Sequence, residues 1–184
     1  MSVRSPTPTK LQSVLIKANF ALGMVKMYRD DVRHPGALWY HSIAMFNAFY
    51  ALKEELNTTC KNGNDRILWK AVDDWQSQNK GALGSFFGNA RYTATHQGAI
   101  QVESDIVWEL NTWNDTEHPV MRSVVSVDRS TITKMTGEEF LLLCSDAITF
   151  IRDGIRAINA DYVSKGGVAH ALPIKNGIKD EDLF

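Results

Sequence analysis

"ALWYHSIAMFNAFYALKEELN", residues 37–57, decides the fold class, because its apolar side chains fall into two helical rows. Trp39, Ile43, Phe46 and Tyr50 form one row, and Met45, Phe49, Leu52 and Leu56 form the other. Together they cover about half of a helix circumference, far more than the single stripe of a surface helix. Such a helix belongs at the centre of a bundle or against a second subunit.

Helical spacing continues on both sides of it. Toward the N-terminus, Leu11, Leu15, Ala18, Leu22 and Val25 recur at steps of four and three, between the extended Pro6/Pro8 segment and a stop at His34-Pro35-Gly36. Beyond "CKNGNDR", whose turn residues break the pattern, Ile67, Leu68, Ala71, Val72 and Trp75 restore it in a third helix. Trp69 and Trp75 are six residues apart, about 240° round that helix, so one of them faces a partner chain. A fourth helix is expected from near Gly81, with Leu83, Phe86 and Phe87 inward, weakening at Thr93, Thr95 and Gly98.

From Gln97 to Lys134 the helical period fades, and "VMRSVVSV" and "STIT" around Asp128-Arg129 read as a short β-hairpin. The last helix carries a capping box, Thr136-Gly137-Glu138-Glu139, followed by Phe140, Cys144, Ile148, Ile151, Ile155 and Ile158. The expected fold class is therefore all-α, an antiparallel bundle of about five helices with a short hairpin inserted before the last of them. Residues 1–163 form its single domain, and residues 164–184 form a tail in which Leu172, Ile174, Ile178 and Leu183 could dock.

Twenty Lys and Arg against 21 Asp and Glu give a formal charge of -1, which excludes a global positive field as the means of binding nucleic acid or membrane. No run approaches a membrane span, and MSVRSPTPTK lacks the features of a secretory signal, so a cytoplasmic location is expected. Cys60 and Cys144 stand far apart without a metal-ligand pattern and read as reduced, structural thiols.

"NARYTATHQG", residues 89–98, supplies the candidate chemistry. Cleaving RNA without a metal requires removing the proton of a 2'-hydroxyl, neutralising the phosphorane and protonating the leaving 5'-oxygen. The imidazole of His96 can give or take a proton near neutral pH, and the guanidinium of Arg91 matches phosphate oxygens. On an unbroken helix a five-residue step turns by about 140° and points the two apart. Either the chain loosens at Thr93–Thr95, or the pairs of two chains face each other across a symmetric interface. "RDDVRH" pairs Arg29 with His34 at the same spacing, but Asp30 and Asp31 beside it repel phosphate, which favours Arg91 and His96.

The order of helices, the aromatic second helix and "SFFGNARYTATHQGAI" resemble the HEPN superfamily over residues 10–163, in particular its small stand-alone toxin and abortive-infection members. The resemblance implies a dimeric HEPN-like domain over residues 1–163 and a metal-independent endoribonuclease without cofactor, whose Arg-x4-His pair lies at the dimer interface. It makes RNA the substrate and allows an antitoxin or other protein partner. Arg91 would hold the scissile phosphate and His96 would act as general acid or base. Where the family usually has Asn after the Arg, this chain has Tyr92, which can stack on a base, and Asn89 could supply an amide; both are candidate substrate-binding residues.

Against this stands a solvated helix end at Arg91 and His96, and with it a catalytically inactive helical dimer serving as a protein-interaction module. A ligand pocket lined by Trp39, Phe46 and Phe49 is a third reading. His41 reads as a packed or interface histidine, and Lys61, Arg66 and Lys70 as a solvated face that could extend phosphate binding. Glu117-His118 among Asp105, Glu109 and Asp115 lacks the second His that a metal site needs, so no metal is expected.

Overall fold

The computed structural model describes residues 11, 14, 16–18, 20, 35–61, 65–94, 100–111, 113 and 115–168. Helix α1 is Pro35–Lys61, opening on a proline whose missing N–H costs nothing in a first turn. Leu38, Ser42, Met45, Phe49, Leu52 and Leu56 are buried at steps of four and three, with Phe46 beside them. Ser42 is satisfied there by donating to the Leu38 carbonyl at 2.8 Å. Of the other expected row, Phe46 is buried, but Trp39 and Tyr50 are exposed.

Helix α2 is Arg66–Gln78, capped by Asp65, whose carboxylate accepts from the backbone of Ile67 and Leu68 at 3.1 Å each. Leu68, Ala71 and Val72 face inward. Trp75 lies against Phe150 and over Gly154. Helix α3 is Lys80–Phe87, α4 is the single turn Ala90–Tyr92, and α5 is Gly137–Ser164. The capping box of α5 is formed from both sides: Glu139 N–H donates to Thr136 Oγ1 at 3.2 Å, and Thr136 N–H donates to Glu139 Oε2 at 2.7 Å. Phe140, Cys144, Ile148, Ile151, Ile155 and Ile158 are all buried. Leu11, Val14 and Ala18, helical residues of the first segment, join the same core. Phe46 links it from the middle, edge-on to Phe87 and Phe140.

The all-α bundle expected from the sequence is corrected by a three-stranded antiparallel sheet in the order β1-β2-β3. Strand β1 is Ile100–Asn111, β2 is Thr116–Val127 and β3 is Met135–Thr136. "VMRSVVSV" is indeed strand, as part of β2, but it pairs with β1 from Ile100↔Val127 to Asn111↔Thr116. "STIT" forms a loop that returns to β3, with Val127 N–H donating to the Ile132 carbonyl at 2.9 Å. The molecule is a mixed α and β structure, because two 12-residue strands satisfy each other's backbone groups where helical spacing lapses.

The hairpin has two unlike halves. Ile100, Val125 and Val127 sit in the core, and Val102 packs against it. Beyond Ser104, none of the described strand residues of the hairpin's outer half is buried. The expected tail from residue 164 is described only to 168, where α5 has ended at Ser164; Leu172, Ile174, Ile178 and Leu183 lie outside the described residues.

Candidate functional site

Helix α3 stops at Gly88, which adopts φ 51°, ψ -125°, a conformation open to glycine and strained for any residue with a Cβ. The loop after β2 braces this break: Thr131 Oγ1 donates to the Phe86 carbonyl at 2.7 Å. The chain then makes one tight turn in which Ala90 and Thr93, three positions apart, are both buried. Anchoring those two inward forces the intervening Arg91 and Tyr92 outward, and both are exposed, Tyr92 by 60%.

The Arg91 guanidinium lies over the ring of Tyr50, with Cζ 3.6 Å from the centroid. Its Nε donates to Asn47 Oδ1 at 3.4 Å. Asn47 and Tyr50, one turn apart, are exposed positions of α1 on the side away from its buried row. The stacking holds the plane of the guanidinium and the hydrogen bond holds its rotation, so a cation stands oriented at the surface over Tyr50. Asn89 precedes it, also exposed, with its carbonyl accepting from Thr93 N–H at 3.0 Å.

His96 lies outside the described residues, so its distance from Arg91 is not part of this geometry. The chain is helical through Ala94 and extended from Ile100. Asn47 and Tyr50 were missed in the sequence, though a lone amide in "MFNAFY" was the available sign.

The remaining candidates do not assemble. Phe46 and Phe49 are buried among Phe86, Phe87 and Phe140, while Trp39 is exposed and edge-on to Tyr40, so the three line no common pocket. His41 is half-buried on α1, and Trp69 is 40% exposed while Trp75 packs inward. Lys70 pairs with Asp74 at 3.2 Å, Arg66 is exposed, and the side chain of Lys61 lies outside the described residues.

Around His118, Glu109 grips Arg122 through two bonds of 2.6 and 3.0 Å, and Asp105 holds Lys134 at 2.6 Å. These partners push the Arg122 and Lys134 ionisations upward and hold the Asp105 carboxyl below its ordinary range. Glu117 and His118, adjacent on β2, point to opposite faces of the ribbon. Among the described residues no group of three or more His, Cys, Asp and Glu is placed to hold a metal ion, and no helix is long and apolar enough to cross a membrane.

Comparison with known proteins brings no relative: no family model, no curated protein and no solved structure matches the chain significantly.

Proposed function

We propose that the chain is a metal-independent RNA endonuclease of HEPN type, a cytoplasmic homodimer acting in a toxin or phage-defence setting. The supporting observation is the setting of Arg91, exposed, oriented by Tyr50 and Asn47, and flanked by the exposed Tyr92. A fixed guanidinium can hold two phosphate oxygens and stabilise the charge that grows on them, while a neighbouring phenol stacks on an unpaired base. In the reaction the ribose 2'-oxygen attacks phosphorus, the bond to the 5'-oxygen breaks, and a 2',3'-cyclic phosphate and a 5'-hydroxyl result. Arg91 stabilises the phosphorane and His96 transfers a proton between the two oxygens.

Purified protein in excess chelator is expected to cut single-stranded RNA and leave cyclic-phosphate ends. Arg91→Ala and His96→Ala should each abolish cutting and any growth inhibition in a host cell, with an unchanged circular dichroism melt. Cutting retained in both variants removes the assignment.

A second reading, a non-catalytic dimer that serves as an interaction module, is favoured by the exposed apolar side chains of the hairpin. It expects no cutting by purified protein and no phenotype for either substitution.

A further inference from the structure

Strand β1 is an outer strand of the sheet, paired with β2 on one side and, among the described residues, with no strand on the other. Its 12 residues pair one for one with those of β2, without a bulge, so the free edge is long and regular. Edges of this kind are commonly blunted by proline, lysine or a bulge, because their unpaired N–H and C=O groups are a template for another strand. Neither proline nor lysine occurs between Ile100 and Asn111, and the charges there are all negative. The outer part of this edge has two unlike sides. Ile106, Trp108 and Leu110 lie on the side that carries Ile100 and Val102 toward the core, and each is more than half exposed. Met121, opposite Ile106, extends that side, and Glu117, opposite Leu110, ends it at the tip. Glu103, Asp105 and Glu109 lie on the other side. Lys134 holds Asp105 and Arg122 holds Glu109, yet the two carboxylate side chains stay 36% and 39% exposed, and Glu103 is exposed as well. From Ile100 to Val127 five acidic side chains stand against Arg122 alone, while the whole chain carries a formal charge of only -1.

We infer that the free edge of β1 takes an extended segment of a partner protein as a further strand, one in which lysine or arginine alternates with apolar residues. Backbone groups pair along the edge. Every second side chain of the partner then extends the apolar row of Ile106 and Trp108, and those between stand beside Glu103, Asp105 and Glu109. A carboxylate has acceptor sites beyond one ion pair, so Asp105 and Glu109 can each serve a second cation. The same charges set other occupants aside. Two β1 edges laid antiparallel would bring their acidic rows together, and the phosphates of a nucleic acid would meet the same carboxylates. The inference does not depend on the nuclease reading, and it leaves the face around Arg91 to the homodimer of the proposed function.

Titrating the isotope-labelled full chain with a synthetic peptide of about eight alternating lysine and valine residues, within the usual length of a strand, tests this by NMR. Amide signals of β1 from Glu103 to Asn111 should shift, and alternate amides along that stretch should become protected from hydrogen exchange. Binding should weaken as salt is added. A peptide of alternating glutamate and valine should not bind. One with the same lysines and valines in two blocks cannot serve both sides of the edge and should bind roughly tenfold more weakly. Glu103→Lys and Trp108→Lys, one on each side, should each weaken the alternating peptide by roughly tenfold as well. Both positions are exposed, so the circular dichroism melts of these variants should match the wild type. The inference is overturned if the alternating peptide leaves β1 unprotected, or if the glutamate or block peptide binds as tightly. Protection of the β1 edge that appears on raising the protein concentration alone also overturns it, since a second copy then occupies the edge.

Discussion

At Gly154, in the middle of α5, alanine would ordinarily be the better helix former by about 1 kcal/mol. Packing decides against it, because a Cβ there would overlap Cζ2 of Trp75, on a rigid ring that also packs, tilted, against Phe150. Gly154→Ala should therefore destabilise the fold by about 1–3 kcal/mol, read as a lower urea midpoint. An unchanged or raised midpoint would mean that the ring moves aside freely. Ten residues earlier, Cys144 is sealed in the core, and burial alone pushes its thiol well above its ordinary 9.0. The unfolded chain loses that proton near 9.0 whereas the folded chain keeps it, so stability should fall as pH rises through that value. Urea titrations on either side of 9.0 should show a larger drop for the wild type than for Cys144→Ala; equal drops would place the loss elsewhere.

The elements differ in how openly the sequence announces them, and the difference is physical. Helix α5 is legible to its first residue, since the period of Phe140, Cys144, Ile148 and Ile151 and the box at Thr136 and Glu139 say the same thing. Thr136→Ala removes one half of that box and should cost about 1 kcal/mol, measured by thermal unfolding. If the cost is absent, the Glu139 side chain has capped the helix unaided. Strand β1 is not among the expected elements, although Ile100, Val102, Ile106, Trp108 and Leu110 alternate with Gln101, Glu103, Asp105, Glu109 and Asn111, a period of two that Ser104 and Val107 interrupt. Only its first residues reach the core, so little of its apolar side is marked by burial. On α1 the inner row was readable, but Trp39 and Tyr50 are apolar enough to imitate core while facing water.

Across the whole molecule, the candidate site depends on segments that sequence order keeps apart. The tight turn that presents Arg91 is framed by Gly88 and braced by Thr131 from the loop after β2, and its guanidinium rests on α1, 44 residues earlier at Asn47. Arg91 could be chosen from the sequence because its chemistry and spacing are local; the ring beneath it could not, since that contact exists only once α1 and the turn share a core. The order of contacts makes Tyr50 the part of the site open to a clean test. A cation over an exposed ring is held by about 0.5–1 kcal/mol, which corresponds to roughly a two- to fivefold change in the oriented population. On the proposed function, Tyr50→Ala should slow RNA cleavage by about that factor, far less than Arg91→Ala, because the charge remains while its orientation is lost. Tyr50→Phe keeps the ring face and should cleave at close to the wild-type rate. Cleavage assays of the three variants on one RNA separate the outcomes: if Tyr50→Phe falls as far as Tyr50→Ala, the phenol oxygen, and not the stacking, is what the site requires.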